Sequence, residues 1–548
     1  MMLNRFNFYK KISIAMIAVL TAGSVACTDN FDEINTIKGQ LTLDKVDINM
    51  LGYTFAQSQY WGMRAWYQGN NLFAGEYSQF YSIIHANFPS ANFEEPGSWS
   101  NLLFNGFYAN TGFGAGANQL DFAEKFTAKN SMPVENAIVK LWKVQLYHRQ
   151  TDYWGPMIYS KFGNGETSVP YDSQKDIYMD FFKLLDEASV VLAANRNAKP
   201  FGTNDLVYSG DVPKYLKFLN SLRLRLALRI SYIDPARAKI EAEKSISGPE
   251  GVIINNADNA MLKSTLNNLN KLSTITYISE FVMSATMASI MNGYEDPRIP
   301  VYTQPCCGRL QQVKVGGLVG FRNGVPVAQR GTNLDTRYSY AGIKWLPIAN
   351  GGTNEPDALI EAAEVFFLRA EGALRGWNMG GTAEQLYNSG IRASLQFRAG
   401  SSDAVINAYI ASTKRPVAPR LSDGSPDAYN SPPVTDIPVK FETTGTFERQ
   451  QEQIITQKWL ALFPINDVEA WAERRRTGYP RGYAVIISQN PRVPKNALMR
   501  RLRYPPLAYS TNNAATTAAA TLLGGPDEND TRLWWDAKPL ASYPVPTN

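Results

Sequence analysis

The sequence predicts a mainly α-helical fold, with tetratricopeptide-like helical hairpins as a scaffold and long ordered loops between them. Three observations predict it. Apolar residues recur at helical spacing in several separate windows. Two of these windows are joined by a short glycine turn, and the segments between the others are long and rich in Gly, Pro, Asn and Ser.

The first window starts at Ser173-x-x-Asp176, a helix-start signal, and places Ile177, Phe181, Leu184, Leu185, Ala188 and Val191 on one face. The second carries Tyr215, Leu219, Leu222, Leu226 and Ile230 on one stripe. Its Lys214, Lys217, Arg223, Arg225 and Arg229 read as a solvated or paired helix face rather than a nucleic-acid patch. The third is a pair, Glu361 to Trp377 and Thr382 to Phe397, split by Asn378-Met-Gly-Gly381. Thr382 and Gln385 form a capping box, and the small residues Ala370, Gly372 and Ala373 allow close approach. Helix, tight turn and helix form a tetratricopeptide-type hairpin, although no strict 34-residue repeat is present. The Ala/Thr tract Asn513 to Thr521 predicts a short surface helix. Residues 293–354, 414–445 and 479–535 read as irregular segments, and their aromatics favour ordered loops.

The amino terminus has another character. Arg5, Lys10 and Lys11 precede an apolar run, Ile12 to Thr21, too short to span a bilayer as a mature helix, which is the pattern of a secretory signal. Small residues then lead to Cys27, an arrangement that resembles the lipobox of bacterial lipoproteins, in which the cysteine is lipidated. An ordinary signal cleaved nearby, with Cys27 left free, is the alternative. Thr28-Asp-Asn-Phe-Asp-Glu33 resembles the acidic export tag of surface lipoproteins of Bacteroidetes. The expected organisation is a leader over 1–26, an acidic flexible tether over 27–45 and a single domain over 46–548. Of the formal charge of +5, three cations lie in the leader, so nothing demands nucleic acid. Besides Cys27 the only cysteines are the adjacent Cys306 and Cys307, which excludes a long-range disulfide framework within the chain.

Several chemistries lack support. His85 and His148 lie far apart and offer no paired zinc ligands. No Gly-x-Ser-x-Gly elbow and no phosphate-binding Gly-x4-Gly-Lys loop occurs. Gly112-x-Gly114-x-x-Ala117 follows an aromatic, Asn-rich segment rather than a buried strand and reads as a helix entry. Asp527-Glu-Asn-Asp530 lacks the EF-hand spacing and reads as a solvated turn. No cofactor or metal is expected.

The positive signal is aromatic. Residues 53–108 hold sixteen Phe, Trp and Tyr, against 12% for the whole chain, and Val46 to Glu124 contains no lysine and one arginine, Arg64. Flat rings beside amides and hydroxyls suit the C–H faces and hydroxyls of sugars, and also suit peptide backbones. Most such rings pack in cores. Trp61, Trp66, Tyr67 and Trp99 adjoin Gly, Gln, Arg or Ser and are the candidate surface rings.

A set of motifs runs through the chain in order: Leu141-Trp142 through Thr151-Asp-Tyr-Trp-Gly-Pro156, Tyr171-Asp-Ser-Gln174, Asn220-Ser-Leu-Arg-Leu-Arg-Leu-Ala227 and Asp296-Pro-Arg298. Glu364-Val-Phe-Phe-Leu-Arg-Ala-Glu-Gly-Ala-Leu-Arg-Gly-Trp377, Gln457-Lys-Trp-Leu-Ala-Leu-Phe463, Glu469-Ala-Trp471 and Arg475-Arg-Thr-Gly-Tyr-Pro480 follow, then Arg503-Tyr-Pro505 and Trp534-Trp-Asp536. Together they resemble the SusD/RagB family, in particular its SusD-like, starch-binding-associated subgroup. The resemblance implies a non-catalytic lipoprotein of the outer membrane, exposed on the cell surface. It would bind an oligosaccharide or, on the RagB side, an oligopeptide, and deliver it to a SusC-like TonB-dependent transporter. A cell-surface glycosidase with dispersed carboxylates is the enzymatic alternative. In such relatives binding rings come from the N-terminal aromatic region and mid-chain loops, which makes Trp99, Tyr302, Tyr338 and Tyr340 candidates and places Cys306 and Cys307 near a pocket rim. Pro464-Ile-Asn-Asp467 and Ala508 depart from the family's usual residues.

Overall fold

The computed structural model describes residues 47–63, 68–108, 116–264, 270, 272–273, 280–304, 317–331, 337–421 and 423–547. The leader, Cys27, the acidic stretch, Trp66, Tyr67, Gly112, Gly114, Cys306 and Cys307 lie outside them. Two compact units are distinguished, residues 1–51 and 52–548, and the architecture below is that of the second.

Helices dominate: α1 (Ile48–Met63, which begins in the first unit), α2 (Gly97–Tyr108), α3 (Gly116–Lys129), α4 (Pro133–Trp154), α5 (Gln174–Ala194), α6 (Val212–Arg229), α7 (Pro235–Ser247), α8 (Ala285–Tyr294), α9 (Ala362–Leu374), α10 (Ala383–Ala399), α11 (Asp403–Ile410), α12 (Phe447–Leu462) and α13 (Asp467–Thr477). Their starts are chemically specified. The side chains of Ser173, Asp211, Asp234, Ser284 and Thr446 accept from backbone N–H groups of the first turn, and proline occupies the first turn of α4, α6 and α7. At α10 both bonds of the expected capping box form between Thr382 and Gln385.

Neighbouring helices pack in sequence, α3 on α4, α4 on α5, α5 on α6 and α6 on α7, while α9 packs on α10, α12 and α6. The close approach expected in the α9–α10 pair is made by a different small residue. Gly390 of α10 lies against Phe367 of α9, where an added Cβ would sit 2.7 Å from the ring, whereas Gly372 faces Met379 in the turn. Asn513–Thr521 is helical, as expected.

Four short strands complete the described fold. β1 (Tyr81–Ile83) pairs antiparallel with β3 (Phe281–Met283) in the register Tyr81–Met283, and β2 (Ala260–Leu262) pairs with β4 (Asp357–Ile360). Three or four residues are too few for a legible alternation, and each pairing joins segments about a hundred residues or more apart.

Four of the five cations of α6, all but Lys214, are paired with carboxylates, and the arginines more deeply than a helix face would suggest. Arg225 grips Glu364 through two bonds of 2.7 Å, and Arg229 meets Glu469 at 2.5 Å and Glu473 at 3.2 Å. Arg476 holds both oxygens of Glu371 at 2.8 and 2.5 Å and also meets Glu473 at 2.6 Å. Lys458 of α12 lies 3.5 Å from both Glu469 and Glu473. Four cations thus face four carboxylates, all buried, where α6, α9, α12 and α13 converge. Burying ions forfeits hydration, so the arrangement adds little over an apolar core, but loss of one member strands the others. The terminal Trp535 lies over Arg229 at 5.1 Å and donates to Asp152 at 2.7 Å, which ties the end of the chain to α4.

Candidate functional site

The site begins where the chain leaves β1. The N–H groups of Ile84 and His85 both donate to the carbonyl of Glu280, at 3.1 and 3.3 Å, which extends the β1–β3 pairing by one step. Beyond it the backbone of residues 85–93 is clamped from two directions. Arg330 donates to the carbonyls of His85 and Phe88 at 3.4 and 2.9 Å and to the Asn92 amide oxygen at 2.6 Å. The Asn92 amide nitrogen donates in turn to the carbonyls of Gly324 and Ile487 at 2.9 and 3.0 Å. Below, Glu76 accepts from the Ile83 N–H at 2.9 Å and from Asn323 at 2.8 Å. Burial pushes its carboxyl up to about 7 despite those two bonds.

This clamp holds a row of rings. His85 stacks on Phe88 with centroids 4.3 Å apart, Phe88 meets Trp99 edge-on at 5.2 Å, and Trp99 rests against the buried Phe73 at 5.6 Å. His85, Phe88 and Trp99 are each half-buried, so a rigid aromatic ledge stays accessible. Ile84 continues the surface into a second cluster, in which Val282, Val319, Phe321, Val325 and Tyr338 are buried and Tyr340, Leu421, Tyr429 and Ile486 pack partly exposed around them. Polar groups sit beside the rings. The Glu280 carboxyl is half-buried, burial pushes it up to about 7, and one of its oxygens has no hydrogen-bond partner among the described residues. Tyr429 donates to Gln329 at 3.0 Å.

The expected site residues divide accordingly. Trp99 and Tyr340 lie on this surface, and Tyr338 lies beneath it at 8% exposure, packed on Phe321. Tyr302 is corrected: it is fully buried, its hydroxyl donates to the Leu460 carbonyl at 3.1 Å and its ring packs on Phe463, so it belongs to the core. Trp61 is half-buried on α1, donates to Gln57 at 3.0 Å and packs edge-on against Tyr60. His85, Phe88, Tyr429, Glu280 and Arg330 were missed by sequence reasoning. His85 and Phe88 belong to the aromatic-rich stretch but are marked out only by ring geometry.

Other motifs are absorbed into structure. Asp527 is no solvated turn: it accepts from Arg501, from the Tyr504 N–H and from the Tyr509 hydroxyl. His148 is buried against the Val144 carbonyl at 3.0 Å, and burial drives its pKa well down. Among the described residues no group of three His, Cys, Asp or Glu could hold a metal ion, and no helix is long and apolar enough to cross a membrane.

A family profile described as "SusD-like: Susd and RagB outer membrane lipoprotein" matches residues 29–536. Solved structures that resemble the chain include a chitin-binding SusD homologue from Flavobacterium johnsoniae, 32% identical, with a TM-score of 0.78 and coverage of 89% of this chain and 98% of that one. SusD homologues from Bacteroides thetaiotaomicron and Bacteroides uniformis are 30% and 31% identical, each with a TM-score of 0.78 and coverage of 90% of this chain and all of theirs. Comparison with curated proteins finds no match.

Proposed function

We propose that this chain, which belongs to the SusD/RagB family of outer membrane lipoproteins, binds an oligosaccharide at the cell surface and passes it to a SusC-like TonB-dependent transporter. The observation that carries the reading is the row His85, Phe88 and Trp99, continued by Tyr340 and Tyr429: accessible rings on a clamped backbone, flanked by amide, hydroxyl and carboxyl groups. Such a surface stacks on pyranose C–H faces and pairs with hydroxyls. The chitin-binding relative makes a β-linked amino sugar oligomer the first ligand to try. The role is binding without catalysis. Glycoside hydrolysis needs two cooperating carboxyl groups. Beside the ledge Glu280 keeps an unpartnered oxygen, but Glu76 is committed to Ile83 and Asn323, and Glu95 to Ser100, Arg503 and Asn529, so neither is free to act as its partner.

Calorimetry of the protein against a panel of glycans, chito-oligosaccharides included, and of oligopeptides tests this. Saturable heat is expected from a glycan with no release of shorter products. Binding of peptides alone would transfer the protein to an oligopeptide-uptake role, and turnover abolished by one carboxylate substitution would make it a glycosidase. The lipid anchor has a separate check. Cys27→Ala is expected to shift the protein from the membrane to the soluble fraction with its ligand affinity unchanged; membrane retention would mean that Cys27 is not the anchor.

A further inference from the structure

A cavity lies beyond the far end of α2. It has a volume of about 300 Å³ and is walled by α3, α4 and the segment 159–162, with Leu120, Tyr147, Tyr159 and Phe162 among its lining residues. Four charged residues also line it, and they cancel in pairs: Lys125 meets Asp121 at 2.8 Å and Lys143 meets Glu124 at 2.8 Å. A ligand of either net charge gains little there. The rings form an ordered array, with Tyr147 edge-on to Tyr159 at 4.9 Å and Phe162 against Tyr108 at 5.4 Å. The Tyr159 hydroxyl is committed to Asp180 at 2.6 Å and that of Ser160 to Asp172 at 2.7 Å.

Tyr147 differs from both. It is 98% buried, it lines the cavity, and its hydroxyl makes no hydrogen bond to a described residue. The phenol oxygen is reachable from the cavity rather than sealed in the core, so the hydroxyl of an entering ligand can pair with it. Burial, helped by Asp121, Glu124 and Asp172, keeps the phenol protonated, so it remains a donor as well as an acceptor.

We propose that this cavity is a second saccharide site, which takes a single neutral pyranose unit through the Tyr147 hydroxyl, the ring faces and the free valences of the paired carboxylates. The volume lies at the lower limit of small-ligand sites, about 300–1,000 Å³, which suits one sugar ring rather than an oligomer. The inference rests on the glycan-binding reading above and adds a distinct subsite to it. Trp99 and Tyr108 lie on the same helix, nine residues or about 14 Å apart along its axis. The ledge and the cavity are therefore placed to engage different parts of one branched or extended glycan.

Ligand-observed NMR of the full chain in detergent, with glucose, galactose and N-acetylglucosamine as separate probes, tests the proposal. At least one is expected to bind saturably at millimolar concentration. Tyr147→Phe, which keeps the ring, is expected to weaken it about fivefold. Ala128→Trp, which fills the exposed cavity rim, is expected to abolish it. Absence of binding by all three sugars, or binding indifferent to Ala128→Trp, overturns the site. Oligosaccharide binding that still depends on Trp99 would then leave the principal function standing, so the two failures are told apart.

Discussion

Glu371→Ala is expected to lower the unfolding free energy by about 3–5 kcal/mol, because it strands buried cations that have no other route to hydration. Glu371 is wholly buried and receives both arms of Arg476, Arg375 at 2.8 Å and Gln451 at 2.9 Å. Urea denaturation followed by tryptophan fluorescence checks this, and a loss below about 1 kcal/mol would show that the network relaxes without it. The pH dependence has a definite sign. Burial works to raise the Glu371 carboxyl, but the guanidinium groups of Arg476 and Arg375 overcome it and hold the group well below the usual carboxylate range. Its contribution is therefore complete above the unfolded value, about 4.5, and is lost as pH falls below it. The variant is expected to show a flatter stability profile over that acid window. Glu76 works in the opposite sense: with a folded value near 7, it removes stability as pH rises from about 4.5 towards 7.

The second large effect falls on binding. Phe88→Ala combined with Trp99→Ala is expected to weaken the ligand identified by calorimetry by about 30- to 100-fold, since each exposed ring contributes on the order of 1 kcal/mol by stacking beyond the apolar contact area it offers. Thermal stability should fall only modestly, because both rings are half-buried rather than fully enclosed in the core. Unchanged affinity in a folded double variant would move the site off the ledge.

The scaffold was legible because its signals are local. The Ser173 cap, the stripe from Tyr215 to Ile230 and the Thr382–Gln385 box each lie within one or two turns of the helix they specify. Arg225 and Arg229 were visible as helix residues, but their carboxylates arrive from α9 and α13, more than a hundred residues away, and spacing cannot reveal such pairing. The site divides along the same line. Trp99 stood out by composition, whereas Tyr302 was a candidate only through the family resemblance and proved to be core, because only the packing of Phe463 against it decides the matter. Arg330, Asn323 and Glu280 are ordinary loop or strand-edge residues until the fold brings them to residues 84–92.

That clamp has a consequence for the life of the molecule. Asn92 reaches residues 324 and 487, and Gln79 reaches the Tyr483 carbonyl, so the ledge is assembled from both ends of the chain. A nascent polypeptide that has not reached residue 487 lacks partners that hold residues 85–93 in place, however much of its amino-terminal half has emerged. On the proposed reading, ligand capture waits until the carboxy-terminal segments have folded back onto Gln79 and Asn92, so binding competence reports completed folding.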